Sequence, residues 1–252
     1  MKHVGLFEGI GGFSLAARWM EWETVAWCEW NPFCQKVLKH HFPEAEGFGD
    51  ITKTNFTKYA NRVDILTGGF PCQNISIATN AKGIGADFGH SGLWREMLRA
   101  AIEIKPRYIV IENSSLLPKR GLNNILYEFA NIGYDAEWHC VQGFQVGVSQ
   151  RRKRTFLILY PVSIGNWLQE RKICTGWHKS EYPTWGSSED RIYGVVNGVS
   201  NRVDRHRALG NSLIPLIPYQ IYQDIQIVDA EFKNECSIEA ECVAREKRKN
   251  IA

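Results

Sequence analysis

Short apolar runs alternate with helix-like segments throughout the first half of the chain, and few folds accommodate such an alternation. Strands are predicted at 3–7, 24–28, 63–66, 107–111 and 155–160, with helices at 13–20, 31–40 and 94–104. Strands that alternate with helices form parallel sheets, and strands that are apolar along their whole length suit a sheet covered on both faces. We therefore predict an α/β protein built on a doubly wound, mostly parallel sheet.

The pattern changes after residue 160. Residues 161–205 contain several tryptophans and scattered basic residues with no clean period, which predicts a small, irregular separate lobe. Regularity returns at 208–223, where Gly210-Asn211-Ser212 predicts the start of a helix. The charged residues from 224 onward predict a solvated helix or a frayed end. We accordingly divide the chain into a main domain (1–160 with 206–230), a lobe (161–205) and a charged tail (231–252).

Composition excludes some classes of protein. With 252 residues and a formal net charge of +3, the chain is not basic enough to indicate nucleic-acid binding by charge alone. No apolar run approaches the roughly 20 residues of a membrane span. The seven cysteines are scattered, and no two have the C-x-x-C spacing of a zinc or redox site. We therefore expect a cytoplasmic protein with no membrane segment, no disulfide framework and no metal site.

A glycine-rich turn, Phe7-Glu8-Gly9-Ile10-Gly11-Gly12, follows the first predicted strand. Its glycines let backbone amides approach a ligand at a helix N-terminus, although a tight turn without a ligand explains them equally well. Glu29 ends the second predicted strand, where a carboxylate can accept hydrogen bonds from ribose hydroxyls. Asp50 is placed to do similar work on an adenine edge. Each of these acidic residues, taken alone, is more often a surface charge.

The loop Gly68-Gly69-Phe70-Pro71-Cys72-Gln73 follows another predicted strand, at the sheet edge where open α/β folds bind ligands. Two glycines and a proline fix an unusual path that presents one thiol. A cysteine in such a loop acts as a nucleophile where nearby cations or a helix terminus favour its thiolate. The alternative is a buried loop cysteine with no chemical role.

Two further motifs lie at the same predicted edge. Glu112-Asn113 ends the next apolar strand, where a carboxyl beside apolar residues can have a raised pKa and donate a proton. Gln150-Arg151-Arg152-Lys153-Arg154 is a dense cationic cluster that leads into the last predicted strand. Such a cluster suits contact with phosphates, a carboxylate or a base edge, and a solvated surface is the common alternative.

The order of these motifs resembles that of the DNA (cytosine-5)-methyltransferase family, over about residues 3–160 and 200–220. The glycine turn, Glu29, Asp50, Pro71-Cys72-Gln73, Glu112-Asn113, Gln150-x-Arg152-x-Arg154 and Gly210-Asn211-Ser212 follow one another at spacings similar to those of the family. The resemblance implies a Rossmann-like, class I methyltransferase fold with S-adenosylmethionine as cofactor. It also implies methyl transfer to carbon 5 of a cytosine flipped out of duplex DNA, through a covalent adduct with Cys72.

The resemblance also assigns roles to individual positions. The catalytic residues would be Cys72, Glu112, Arg152 and Arg154, with Cys72 as the nucleophile and Glu112 at cytosine N3. The cofactor would be bound by Phe7, Gly9, Gly11, Gly12, Glu29, Trp30, Asp50, Ile51, Pro71, Asn211 and Ser212. The candidates for contact with DNA are Gln73, Ser76, Arg151, Lys153 and Arg191. The implied partner is double-stranded DNA, bound by a monomer in a bacterial or phage-infected cell, and a separately acting restriction endonuclease is a further candidate partner.

Three features depart from the family pattern. Gly5 stands where the family often has an acidic residue, and Ser114 stands where an apolar residue commonly follows Glu-Asn. Residues 155–209, 55 in all, are fewer than the family's usual target-recognition region. In its compact size the chain looks similar to phage or prophage members of the family, and the sequence does not predict which DNA sequence is methylated.

Two other functions remain as alternatives. An RNA (cytosine-5)-methyltransferase of the tRNA-directed branch would share this fold and motif order, although we find no signature of that branch after the catalytic loop. Methyl transfer to duplex DNA and to tRNA would distinguish the two. A binding protein that kept the pocket and lost turnover is the second alternative, and it would form no adduct with a duplex containing 5-fluorocytosine.

Overall fold

The structure, a computed structural model, describes residues 1–71, 90–169, 171–179 and 202–249. Seven strands in these residues form one sheet with the order β3-β2-β1-β4-β5-β7-β6. The strands are β1 (Lys2–Leu6), β2 (Glu23–Cys28), β3 (Glu46–Phe48), β4 (Ile65–Gly68), β5 (Tyr108–Ser114), β6 (Tyr134–Gln142) and β7 (Lys153–Pro161). The helices are α1 (Gly12–Trp19), α2 (Pro32–His41), α3 (Trp94–Ile104), α4 (Leu117–Arg120), α5 (Leu122–Asn131), α6 (Val162–Leu168), α7 (Arg202–Asn211) and α8 (Leu216–Lys249).

Strands β1 to β5 run parallel, and β7 runs antiparallel to both of its neighbours. The chain first builds outward from β1 to β3 and then returns to place β4 on the other side of β1. In open α/β sheets, the carboxyl ends of the strands at such a reversal form the crevice that binds ligands. The predicted doubly wound, mostly parallel sheet is therefore confirmed.

Both faces of the sheet are covered, as the apolar strands require. Strand β5 divides its residues between the two layers: Ile109 and Ile111 pack with helices α3, α4 and α5. Tyr108 and Val110 point to the opposite face and pack with α1, α6 and α8. Because the buried strands hold the sheet rigidly between these layers, the residues at its carboxyl edge are held in fixed positions.

Local signals explain where the helices of the main domain begin. The side chain of Asn31 accepts hydrogen bonds from the backbone N–H groups of Phe33 and Cys34, and Pro32 occupies the first position of α2. Helix α3 has the predicted bounds and buries Trp94, Met97, Ala100, Ala101 and Ile104 on one face. These predicted starts are confirmed.

Two predictions about the second half were wrong. Helix α6 lies in the region 161–205, whose beginning is therefore regular, and its Ile164 and Leu168 are buried against the sheet. The motif Gly210-Asn211-Ser212 does not start a helix, since α7 ends at Asn211 and α8 starts at Leu216. Pro215 and Pro218 explain the restart, because proline lacks an N–H group and is tolerated only in the first turn of a helix.

Helix α8 is attached to the main domain by its first half. Tyr222 stacks on Trp22 with ring centroids 4.8 Å apart. The buried Asp229 forms an ion pair with Arg107 and a second with Lys233. From Ala230 to Ile238 most side chains are exposed, in agreement with a solvated end. Within the described ranges, no helix combines the length and apolar character that crossing a bilayer requires.

Candidate active site

The predicted site residues that the structure describes gather at the carboxyl edge of the parallel strands. The glycine turn follows β1, Glu29 follows β2 and Asp50 follows β3. Gly69 follows β4, and Glu112 lies near the end of β5. Strand β7 enters the sheet from this same edge, because Arg154 pairs with Ser114 in antiparallel register. The fold thus brings together groups that are distant in sequence.

The glycine turn between β1 and α1 has a backbone path that requires its glycines. Phe7, Gly9 and Gly11 have φ angles of 53°, 57° and 92°, in the left-handed region. A Cβ atom at Gly11 would also lie 3.1 Å from the side chains of both Leu38 and Phe42. Helix α1 therefore starts directly above the end of β1, with its first amides at the ligand-binding edge.

The carboxylate of Glu29 holds this turn from the side of β2. One of its oxygens accepts a hydrogen bond from the Gly9 N–H at 2.7 Å, and the other accepts from the Asn31 N–H at 2.7 Å. The neighbouring Trp30 is 71% exposed, which leaves its indole available to stack on a ligand. Ile51 is buried, and Asp50 begins a short 3-10 turn by accepting from the Thr52 N–H.

The turn provides space for the cofactor that the resemblance implies. A Cβ atom placed at Gly9 would meet no described atom within 4 Å, so the backbone here borders open space. Gly9 is hydrogen-bonded to Glu29, whose neighbour in the chain is the exposed Trp30. Polar backbone groups beside an aromatic face suit the ribose and adenine of S-adenosylmethionine, so these residues fit that molecule.

The Glu112 side chain projects from β5 into a largely buried position, 14% exposed, beside two arginines. Its Oε1 atom lies 2.9 Å from Nε of Arg154. Burial raises the pKa of the Glu112 carboxyl above its ordinary value, and the nearby Arg154 and Arg152 only partly oppose this effect. The carboxyl therefore keeps its proton to a higher pH than an exposed glutamic acid does.

The loop that leads to Cys72 is tied to β5 next to this carboxyl. The buried Asn113 donates a hydrogen bond from Nδ2 to the carbonyl oxygen of Phe70 at 3.0 Å. A Cβ atom at Gly69 would lie 3.1 Å from Oε2 of Glu112, so glycine allows the loop to pass close to the carboxyl. Pro71 is the last described residue before the gap. The loop therefore leaves the sheet beside Glu112.

The side chains of the cationic cluster contact different partners. Arg154 faces Glu112, whereas Arg152 donates hydrogen bonds to the carbonyl oxygens of Gly210 and Asn211. Those carbonyls end α7, where a cation is favoured by the helix dipole. Arg151 and Lys153 are exposed. Arg152 thus connects the strand that carries Arg154 to the segment that contains Asn211 and Ser212.

Comparison with known proteins identifies the family. The family model of the C-5 cytosine-specific DNA methylases matches residues 1–188. The chain belongs to this family. Type II methyltransferase M.CviJI of Paramecium bursaria Chlorella virus IL3A is 33% identical over 158 residues, which are 62% of this chain and 42% of that relative. Type II methyltransferase M.HhaI of Haemophilus parahaemolyticus is 30% identical over 164 residues, 64% of this chain and 49% of the relative. This chain therefore spans less than half the length of these two curated methylases.

Solved structures share the fold of this chain. The Entamoeba histolytica methyltransferase EhMeth aligns with a TM-score of 0.63 at 14% identity, over 89% of this chain and 97% of that one. A mutant DNMT2 of Spodoptera frugiperda aligns with a TM-score of 0.54 at 21% identity, over 73% and 56% of the two chains. These likenesses confirm the Rossmann-like methyltransferase class.

Four predicted site residues, Cys72, Gln73, Ser76 and Arg191, lie outside the described residues. The remaining predicted site residues all lie at the edge just described or on the segment that Arg152 connects to it. Their individual roles stay predictions. Sequence reasoning missed Asn113 as the residue that holds Phe70, although its place next to Glu112 was a usable signal.

We expect Gly69→Ala to lower kcat for methyl transfer by several-fold to about 10²-fold, because the added methyl group displaces the Glu112 carboxyl. The contact of 3.1 Å requires a shift of a few tenths of an ångström. The midpoint of thermal unfolding and the affinity for the cofactor should change little. An equal loss of cofactor affinity would contradict this explanation.

Arg152 and its neighbour Arg151 offer a matched pair of substitutions. Arg152→Ala removes two hydrogen bonds to the end of α7, so we expect KM for the cofactor to rise roughly 10-fold. Arg151→Ala removes an exposed cation and should instead weaken DNA binding, with a smaller dependence of that binding on salt. Steady-state kinetics with each substrate varied in turn would test both expectations. Equal effects of the two variants on the KM for cofactor would contradict the assignment.

Proposed function

We propose that this chain is an S-adenosylmethionine-dependent DNA (cytosine-5)-methyltransferase. It methylates carbon 5 of a cytosine flipped out of duplex DNA, through a covalent bond between Cys72 and carbon 6. The observation that carries the proposal is the placement of a largely buried carboxyl with a raised pKa, that of Glu112, between Arg154 and the start of the Cys72 loop. The glycine turn lies at the same edge of the sheet.

The chemistry explains why these groups are needed together. Carbon 5 of cytosine is a weak nucleophile, and addition of the Cys72 thiolate to carbon 6 breaks the conjugation and makes carbon 5 reactive. Negative charge then develops toward N3, where the protonated Glu112 donates a hydrogen bond and passes its proton to N3 as the charge builds. S-adenosylmethionine supplies the methyl group. Loss of the carbon-5 proton to solvent, return of the N3 proton to Glu112 and elimination of the Cys72 thiolate restore the aromatic ring.

Arg154 positions Glu112 in this scheme. Its guanidinium lies against Oε1, which leaves the Oε2 side of the carboxyl, next to Gly69, for the base. A nearby cation lowers the pKa of a carboxyl, and burial outweighs that effect here. Arg154 thus orients the carboxyl, while burial keeps its pKa above the ordinary value.

The proposed reaction also requires the chain to bind duplex DNA and to flip the target base. A base inside a duplex is out of reach, so flipping it costs a few kcal/mol that contacts with the backbone must offset. The exposed Arg151 and Lys153 lie next to the catalytic arginines and suit contacts with phosphates. We assign target recognition to residues 161–205, with residues 1–160 and 206–230 as the catalytic domain and 231–252 as a charged tail. We further propose a cytoplasmic monomer, with a separate restriction endonuclease as a candidate partner.

The test is transfer of a radiolabelled methyl group from S-adenosylmethionine to duplex DNA and to tRNA in parallel. We expect label in 5-methylcytosine of the duplex and little in tRNA. Bisulfite sequencing of genomic DNA from an expressing strain would then give the target sequence. Preferential labelling of tRNA would favour the RNA-directed alternative, and binding of cofactor without labelling of either substrate would favour the silent binding protein.

A further inference from the structure

Glu8, in the middle of the glycine turn, has a buried side chain that the proposed chemistry does not use. It is 4% exposed, although an acidic residue in a surface turn would normally be solvated. Its Oε1 atom accepts a hydrogen bond from the Ser14 N–H of α1 at 2.7 Å. Its Oε2 atom is buried without a hydrogen-bond partner among the described residues. Such a group is costly to bury, so its place requires an explanation.

The carboxyl of Glu8 occupies the space above Gly5. A Cβ atom at Gly5 would lie 2.1 Å from Oε2, 2.7 Å from Cδ and 3.4 Å from Oε1 of Glu8. No side chain fits at position 5 while Glu8 is folded back onto β1. Conversely, an aspartate at position 5 would extend its own carboxyl into this same volume. The two positions therefore compete for one carboxyl site beneath the turn.

The Glu8 carboxyl at this site also caps the start of α1. Gly11 at the N-cap offers no side chain to the first N–H groups of the helix, and Glu8 provides that acceptor through Ser14. Glu29 accepts the Gly9 N–H from the other side of the turn. The two carboxyl groups therefore hold the turn from different elements: Glu8 accepts the Ser14 N–H and Glu29 accepts the Gly9 N–H.

We propose that Glu8 is a positioning residue for the cofactor turn and that its carboxyl takes the place of an acidic side chain at position 5. The proposal rests on the proposed function, because it concerns the S-adenosylmethionine site. Glu8 does not react with the substrate. It fixes the amides of the turn and of the first helical residues in the arrangement that binds the cofactor.

The electrostatics of Glu8 separate this role from a merely structural one. Burial, with a small contribution from Glu29, raises the pKa of Glu8 to about 7, while the hydrogen bond from Ser14 lowers it. Among the described residues, the titratable groups that interact with it are Glu29 and Tyr222, whose own pKa is raised by burial. Because the folded chain holds this proton more tightly than the unfolded chain, the group favours folding below its ordinary pKa. That contribution is lost as the pH rises through about 7.

The experiment exchanges the two positions and measures binding of S-adenosylhomocysteine by calorimetry at pH 8, together with thermal unfolding. Glu8→Ala should weaken binding roughly 10-fold. Gly5→Asp alone should weaken binding and lower Tm, because two carboxyls then compete for one space. The double variant Gly5→Asp/Glu8→Ala should regain most of the lost affinity. Glu8→Gln should weaken binding several-fold while leaving Tm at pH 8 unchanged or raised.

The results of these measurements distinguish a failure of the role of Glu8 from a failure of the proposed function. If the double variant binds no better than Glu8→Ala, or if Glu8→Gln binds as tightly as the unchanged chain, the role of Glu8 is overturned and the proposed function stands. If the unchanged chain fails to bind S-adenosylhomocysteine, the proposed function itself is overturned. Glu8→Gln guards against a folding defect, since it keeps the shape of the side chain.

Discussion

Glu112→Gln is expected to lower the rate of methyl transfer by about 10²–10⁴-fold, the contribution typical of a group that donates a proton in the transition state. Glutamine keeps the shape of the side chain and can donate a hydrogen bond to N3, but it cannot transfer a proton. Single-turnover methylation of duplex DNA is the measurement. The binding of S-adenosylhomocysteine should stay within a few-fold of the unchanged chain, because Glu112 lies on β5 and the cofactor turn follows β1.

The pH dependence of the same reaction provides an independent check. The pKa of Glu112 is raised by burial, so the carboxyl is protonated at low pH and loses its proton as the pH rises through that raised value. The rate with the unchanged chain should therefore fall on the alkaline side. The residual rate with Glu112→Gln should show no such fall. A parallel alkaline decline in both proteins would assign the titration to another group.

Much of the fold was predictable because the signal is local and repeated. The buried strands β4 and β5 begin with apolar runs, Ile65-Leu66 and Tyr108–Ile111, and each strand is followed by a turn or helix signal. Strand β6 was missed because it lies at the edge of the sheet, where polar residues such as Asp135 and Glu137 replace the apolar run. Strand β3 has only three residues, too few for a period.

The candidate site was predictable only in part, for a related reason. Glu112 could be placed because it ends an apolar strand, and the carboxyl ends of parallel strands meet at one edge. The partner of Arg152 could not be predicted, since Gly210 is 58 residues away and is contacted through its backbone. Glu8 was given no role of its own within the glycine motif, because the sequence does not indicate that its side chain folds back over Gly5. Contacts of this kind depend on packing and become visible only in the structure.

Cys72→Ser is expected to lower methyl transfer by roughly 10⁴-fold or more, the order of loss seen when covalent enzymes lose their nucleophile. A serine hydroxyl remains protonated near neutral pH, whereas a thiol beside cations is partly ionised. Cys72 lies outside the described residues, and the chain that precedes it is anchored by the hydrogen bond from Asn113 to Phe70. Cys236→Ser is the matched control, because Cys236 is an exposed residue of α8 and should tolerate the change.

A duplex containing 5-fluorocytosine identifies the nucleophile directly. Fluorine at carbon 5 cannot leave as a proton does, so the adduct with the enzyme stays intact after methyl transfer and survives denaturation. We expect the unchanged chain and Cys236→Ser to form this adduct and Cys72→Ser to form none. Mass spectrometry of the digested adduct should place the modified base on the peptide that contains Cys72. Attachment at another cysteine would assign the nucleophile to that residue, and an unaltered rate in Cys72→Ser would remove the covalent step. Without that step the role of Glu112 would also fail, because it is the Cys72 addition that generates charge at N3.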